Sequence, residues 1–237
     1  ASNQKENDVA DGRSYDLVVI GAGPGGYVAA VRAAQLGLKT AVVERDGALG
    51  GTCLLRGCIP TKFLLQAASL HDEFQAMERY GLRAEGLSLD WKKTQQEKTK
   101  TVRRLTAAVK GLMKKGAIDV VEGHGRLAGG RKVAVELNDG GTETLNARHV
   151  LLATGSVPKM LPFLERDGVR VITSDEALSL PGIPESLIVV GSGAVGSEFA
   201  SIYRSFGTEV TLLEALPRLI PLEDEDLSAE LTKAFTK

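Results

Sequence analysis

"YDLVVIGAGPGGYVAAVRAAQLGLKTAVVERD", Tyr15 to Asp46, is the stretch that decides the fold. Tyr15 to Ile20 is a short apolar run with glycines directly behind it, which reads as a buried parallel strand. "YVAAVRAAQLG" reads as an alanine-rich helix ended by Gly37 as its C-terminal cap. "LKTAVVERD" is a second strand closed by Glu44. Gly21, Gly23 and Gly26 hold the G-x-G-x-x-G positions of a βαβ unit. In such a unit the first glycine permits a tight turn, the second lets the backbone approach a pyrophosphate, and the third lets helix and strand pack closely. The helix N-terminus adds unpaired N–H groups and a partial positive charge that face the anion. Glu44 stands where a carboxylate would accept hydrogen bonds from a ribose diol.

One such fingerprint is weak evidence, since it is often only a strand-to-helix turn. Here the same grammar returns in "SLIVVGSGAVGSEFASIYRSFGTEVTLLEA", Ser186 to Ala215. Gly191, Gly193 and Gly196 repeat Gly21, Gly23 and Gly26, Gly207 repeats Gly37, and Glu214 repeats Glu44, all at one offset of 170 residues. This is an internal repeat, and it predicts two dinucleotide sites. A carboxylate at Glu214 about 4 Å from a 2′-phosphate costs on the order of 1–4 kcal/mol, so NAD is favoured over NADP there. Arg218, four residues on, is expected to soften that preference.

Between the repeats, Phe63 to Arg79 and Asp90 to Lys115 read as helices. In the second, Val102, Leu105, Val109 and Leu112 make an apolar stripe opposite a basic face. No aromatic residues interleave those basic ones, so the face reads as solvated and nucleic-acid binding is not expected. "RKVAVELNDGGTETLNARHV" reads as two strands joined by a turn at Asp139-Gly140, an antiparallel excursion. "VLLATGSVP", Val150 to Pro158, reads as a further buried strand running into a glycine turn. The expected fold is α/β, with two Rossmann-like dinucleotide-binding domains. The first has three layers, a parallel sheet plus an antiparallel β-meander, and the second is incomplete. The expected boundaries are a flexible polar leader over residues 1–14, a first domain over 15–157 and the start of a second over 158–237.

Lysine and arginine number 29 against 30 acidic residues, so no global field points to nucleic acid or an anionic membrane. The apolar runs are far shorter than the roughly 18 residues of a membrane span, so no membrane association is expected. The two cysteines, Cys53 and Cys58, both lie in "GGTCLLRGCIPTK", Gly50 to Lys62. Two thiols in a chain this long are not a disulfide framework. They read either as ordinary buried thiols or as a redox pair, and the glycines before them with Pro60 and Lys62 after them favour the pair. Zinc is a weaker rival because His71, His124 and His149 are scattered singly, and no metal is expected. Five residues along an unbroken helix would set the sulfurs about 140° apart, so the segment is expected to be irregular, through its glycines and Pro60. A thiolate attacks a disulfide, and the start of the helix through Phe63 favours an anion.

"GGTCLLRGCIPTK", the paired fingerprints, "ATGSVP" and the glutamate after the second fingerprint together resemble the pyridine nucleotide-disulfide oxidoreductases, from about Tyr15 to the last residue. The nearest branch is the flavoproteins that serve 2-oxo acid dehydrogenase complexes. The resemblance implies FAD on Gly21, Gly23, Gly26 and Glu44, with Lys62, Gly125, Thr154, Gly155 and Ser156 lining the rest of the flavin. It implies Cys53 as the interchange thiol and Cys58 as the thiolate facing the flavin ring. NAD would lie on Gly191, Gly193, Gly196 and Glu214, with Glu198 reaching toward the flavin and Lys62. The implied reaction is FAD-dependent oxidation of dihydrolipoamide to lipoamide, with reduction of NAD through a Cys53–Cys58 redox disulfide. Implied partners are the lipoyl groups of the complex's acyltransferase and a second copy in a homodimer. The implied location is the cytoplasm, or the mitochondrial matrix in a eukaryote.

Members of that family are considerably longer. The resemblance implies that the remainder of the NAD domain, a returning segment of the FAD domain and a C-terminal interface domain are not in this chain. The interface domain supplies a histidine–glutamate acid/base pair from the partner subunit, and none of the three histidines here stands in that position. "LLR", Leu54 to Arg56, also departs from the family's commoner residues. Two other readings remain: an NADPH-dependent reductase of glutathione or mercuric ion, which Glu214 disfavours, and a non-catalytic nucleotide-binding fragment.

Overall fold

The computed structural model describes residues 13–83, 85–86 and 88–236. In chain order they form β1 (Ser14–Ile20), α1 (Pro24–Gln35), β2 (Thr40–Glu44), α2 (Gly51–Arg56), α3 (Cys58–Gln75), a 3₁₀ turn (Met77–Tyr80), α4 (Trp91–Lys115), β3 (Asp119–Leu127), β4 (Lys132–Leu137), β5 (Thr142–Leu152), α5 (Ser174–Ala177), β6 (Ser186–Val190), α6 (Ala194–Ser205), β7 (Glu209–Leu213) and α7 (Glu225–Phe235). The chain is mixed α/β with parallel strands. Residues 1–12 of the expected leader lie outside the described residues. Its last two are structured: Ser14 opens β1, and Arg13 grips Glu143 of β5 at two points, 2.6 and 2.7 Å. Among the described residues, no helix is long and apolar enough to cross a membrane.

The described residues fall into two compact units, one of those up to Leu55 with Arg103–Val157 and the other of Arg56–Val102 with those from Pro158 onward. The sequence reading drew one cut, after residue 157, whereas this division is discontinuous. The reason is packing: α3 and the start of α4 bury their apolar residues with those of α6.

In the first unit five strands close into a ring in the order β1-β2-β3-β4-β5. β1 runs parallel to β2 and β5, and β2 parallel to β3, while β4 is antiparallel to both β3 and β5. The meander is therefore not a separate layer. β3 pairs with β2 through Glu122 and with β4 from Gly123 onward. β5 pairs with β4 up to Asn146 and with β1 from there to Leu152. At the switch in β3 a Cβ on Gly123 would lie 2.4 Å from the Glu136 carbonyl oxygen, so only glycine fits where the strand changes partner. Val18 and Ile20, Ala41 and Val43, Val121, Val133 and Val135, and Leu145 and Ala147 fill the ring, at the period-two spacing of a strand's buried face.

"VLLATGSVP" is not a separate buried strand. Val150 to Leu152 end the long β5, and Leu152 is 57% exposed. The α3 helix begins five residues earlier than the sequence reading and yields to the 3₁₀ turn after Gln75. It can start before Pro60 because a proline in the first helical turn removes only an N–H that has no partner within the helix. In α4 the expected stripe holds at Val109, but Leu112 is 43% exposed and Met113 is buried in its place. Met113 lies one full turn beyond Val109, where a 3.6-residue period puts the covered face.

In the second unit β6 and β7 pair in parallel, from Ser186 with Glu209 to Val190 with Leu213. Its core gathers Leu64 and Ala68 of α3, Trp91 of α4, Ala177 and Leu178, and Phe199, Ile202, Tyr203 and Phe206. Two polar handles are satisfied inside it. The Trp91 indole donates to the Leu180 carbonyl at 2.9 Å, and the Tyr203 hydroxyl donates to the Ala177 carbonyl.

Candidate functional site

The first glycine turn joins β1 to α1. Gly21 has φ +102°, and a Cβ there would fall 2.2 Å from the Ala153 carbonyl oxygen. A Cβ on Gly26 would fall 1.8 Å from the Gly21 carbonyl oxygen. Both glycines are thus demanded by backbone packing alone. Gly23 differs, because a Cβ there would meet only the Gly51 Cα, at 3.7 Å. The N-terminus of α1 has no side-chain cap and no acidic residue in its first turn. Buried Glu44 binds the turn to the strand: its Oε2 accepts from the Ala22 N–H at 2.7 Å and its Oε1 from the Asp46 N–H at 3.0 Å. The Gly50 N–H donates to the Ala22 carbonyl at 2.9 Å. Gly51, at φ +59°, comes so near that a Cβ on it would lie 2.5 Å from the Gly23 Cα. The cysteine segment therefore starts with its backbone packed on the turn.

The second turn repeats the backbone and the glutamate tie at the offset of 170, but a Cβ on Gly191 would meet nothing within 4 Å, where one on Gly21 meets the Ala153 carbonyl. Gly191 has φ +100°, and a Cβ on Gly196 would lie 1.9 Å from the Gly191 carbonyl oxygen. A Cβ on Gly193 would meet nothing within 4 Å. α6 also lacks a side-chain cap and an acid in its first turn. Glu214 accepts from the Ser192 N–H at 2.9 Å and from the Leu216 N–H at 2.9 Å. The Ile220 N–H donates to the Ser192 carbonyl at 3.2 Å, as Gly50 does to Ala22. Even the helix ends match: Gly37 (φ +83°) and Gly207 (φ +95°) end α1 and α6, with Leu38 N–H bonded to Ala33 and Thr208 N–H to Tyr203. One bond has no counterpart in the first turn: the Ser192 hydroxyl donates to Glu214 Oε2 at 2.8 Å. The Ser192 and Leu216 N–H groups and then that hydroxyl hold the Glu214 carboxyl down at about 2.

Arg218 was expected to ease the charge at Glu214. Instead its guanidinium is bound to Glu225 at 2.9 Å and to the carbonyls of Pro221 and Glu223.

Cys53 lies in the middle of α2, half-buried, and Cys58 is the first residue of α3, exposed. The backbone between them is broken at Gly57 (φ −138°, ψ −113°), while Pro60 lies inside α3 and is buried. Gly57 rather than Pro60 thus makes the segment irregular. α3 carries no side-chain cap and no acid in its first turn. Lys62, four residues after Cys58, forms an ion pair with Glu198 of α6. Thr154, Gly155 and Ser156 are exposed just beyond β5. Gly125 points its missing side chain at Val43, Ile20 and Val133, the interior of the ring. Among the described residues no group of His, Cys, Asp and Glu is gathered that would hold a metal.

Sequence reasoning passed over Ala22, Ser192 and Ile220. Extending the comparison at offset 170 beyond the glycines would have paired Ala22 with Ser192 and Gly50 with Ile220.

The chain matches the family described as pyridine nucleotide-disulphide oxidoreductase over residues 15–237. It is 47% identical over 231 residues to a dihydrolipoyl dehydrogenase of Bacillus subtilis, covering 94% of this chain and 48% of that protein. Dihydrolipoyl dehydrogenases of Zymomonas mobilis and Trypanosoma brucei brucei are 45% and 44% identical, again over 94% of this chain, and it covers 48% and 47% of them. The chain spans about half the length of the curated relatives it matches. With the fold and both glycine turns in agreement, the chain belongs to the pyridine nucleotide-disulphide oxidoreductase family.

Proposed function

We propose that this chain carries the flavin turn, the redox cysteines and the nicotinamide turn of an FAD-dependent, NAD-reducing dihydrolipoyl dehydrogenase. The observation that carries the reading is the duplicated turn, each with an uncapped helix N-terminus and a glutamate tie, the first with the cysteine segment packed on it. An anionic pyrophosphate fits both helix ends, since neither has an acid in its first turn. FAD would be held by Gly21, Gly23, Gly26 and Glu44, with Lys62, Gly125, Thr154, Gly155 and Ser156 around it. NAD would be held by Gly191, Gly193, Gly196 and Glu214. A flavin bound there would supply two-electron transfer between the cysteine dithiol and NAD. The domains on this reading are Rossmann-like, an FAD domain over 15–157 and an incomplete NAD domain from 158.

The chain's own chemistry is two thiol–disulfide exchanges. One thiolate of dihydrolipoamide attacks the Cys53 sulfur of a Cys53–Cys58 disulfide, forming a mixed disulfide and releasing Cys58 as thiolate. The second substrate thiolate then attacks its own partner sulfur, which closes the lipoamide ring and releases Cys53 as thiolate. Two electrons pass from substrate to the cysteines, and the substrate gives up two protons. Cys58 opens α3, whose first turn holds no acid, and the Lys62–Glu198 pair puts an ammonium one turn further along the same helix. The NADPH-dependent alternative is disfavoured by the Glu214 carboxylate, while the Arg218 guanidinium points to Glu225 and to the Pro221 and Glu223 carbonyls. The partners on this reading are the lipoyl groups of a 2-oxo acid dehydrogenase complex and a second copy in a homodimer, in the cytoplasm or the mitochondrial matrix.

The test uses the full-length protein. Cys53→Ser and Cys58→Ser should each cut dihydrolipoamide-dependent NAD reduction by about a thousandfold or more, with the flavin absorbance retained. Undiminished turnover in either variant, or a wild-type protein without flavin bands, would refute the proposal.

A further inference from the structure

The two turns differ at one chemically active position. Ala22 in the first is Ser192 in the second, and both contribute a backbone N–H to the glutamate closing their second strand. Glu44 receives two hydrogen bonds, from Ala22 and Asp46. Glu214 receives three, because Ser192 adds its hydroxyl. Ser192 is itself held on every side. It is 0% exposed, and its carbonyl accepts from the Ser197 hydroxyl at 2.9 Å and the Ile220 N–H at 3.2 Å. The last torsion of a glutamate is intrinsically broad, so hydrogen bonds to its oxygens set its orientation. The Ser192 hydroxyl adds a third such bond at Glu214, on the oxygen that already accepts from its own N–H, so swinging the carboxylate aside breaks one more bond than at Glu44. The nearby cation is occupied as well, since Arg218 pairs with Glu225.

We infer that Ser192 is a positioning residue for nicotinamide selectivity: its hydroxyl locks the Glu214 carboxylate so that it accepts from a 2′-hydroxyl and opposes a 2′-phosphate. The inference rests on the proposed function only in taking the second turn as the NAD site. Electrostatic opposition between two anions depends on their separation, so a carboxylate that cannot swing aside discriminates better than a mobile one. The low proton affinity of Glu214 agrees with a group kept charged at every working pH.

The test is a double-mutant cycle in the full-length holoenzyme with Ser192→Ala, Glu214→Gln and both together. Ala22 occupies the equivalent place in the first turn, so the backbone accepts alanine there. Ser192→Ala should raise KM for NAD about tenfold with a smaller effect on kcat, and lower the NAD-to-NADP ratio of kcat/KM by a similar factor. In the Glu214→Gln background the same change should have little further effect, because the group it positions is gone. Equal KM and equal ratio in Ser192→Ala and wild type would overturn the inference, as would an equally large effect in both backgrounds. Wild-type protein that prefers NADP, or binds neither nucleotide by NADH and NADPH fluorescence titration, would overturn the underlying reading and the inference with it.

Discussion

At the scale of single residues, the glycines of a fingerprint separate into those the backbone demands and those it does not. Gly196 stands 1.9 Å, by its absent Cβ, from the Gly191 carbonyl oxygen, while Gly193 faces open space at φ −61°. Gly196→Ala should therefore destabilise the second unit by about 3 kcal/mol or more. Gly193→Ala should leave stability within about 0.5 kcal/mol yet weaken NADH binding by the full-length protein more than tenfold. Urea unfolding of the two variants, followed by the fluorescence of Trp91, the chain's one tryptophan, distinguishes these outcomes; equal destabilisation would contradict them. Lys98 is the other residue whose environment dictates behaviour. It is 5% exposed on the covered face of α4, and its ammonium donates to the Leu178 carbonyl and to Gln95. Burial lowers it from 10.5 to about 8. Between those values the folded chain has released a proton that the unfolded chain still holds, so stability rises with pH there. Lys98→Met should abolish that rise: the wild-type unfolding midpoint should climb relative to the variant's from pH 8 to 10.5 and run parallel to it below pH 7.

At the scale of elements, helices are placed by the faces they bury. α3 begins at the cysteine segment, but its buried residues Leu64 and Ala68 belong to the cluster of Phe199, Ile202, Tyr203 and Phe206 on α6. That contact brings Lys62 to Glu198, because both lie on the facing sides of the same two helices. Leu64 is fully buried, so Leu64→Ala should cost about 2–5 kcal/mol in the second unit, read again by Trp91 in the same cluster. A loss below 1 kcal/mol would show that α3 is not held there by its apolar face. The strands of the first unit follow a different logic. β3 and β5 are long enough to pair with a parallel neighbour over one half and an antiparallel neighbour over the other. Their valine-rich and alternating stretches announce which face is covered, but not which strand lies alongside.

For the whole molecule, the duplication was legible because glycine geometry is local. A positive φ at Gly21 and Gly191 and the absent side chains at Gly26 and Gly196 answer to the residues immediately around them, so spacing alone revealed both βαβ units. The hairpin at Asp139-Gly140 and the existence of β1, β2, β6 and β7, though not all their bounds, were legible for the same reason: periodicity and turn chemistry act within a few residues. The closure of the ring was not legible, because it joins β5 to β1 across more than a hundred residues, and loop closure leaves no mark on composition. Nor was the exposure of Leu152, the burial of Lys98, the retreat of Arg218 to Glu225, or the hydroxyl of Ser192 on Glu214. Sequence by itself determined that two glycine turns, two closing glutamates and a pair of neighbouring cysteines exist in this order. Tertiary structure alone decided which unit each helix joins and which N–H and hydroxyl groups hold the glutamates, because burial and hydrogen bonding are satisfied by whatever is near in space, however distant along the chain.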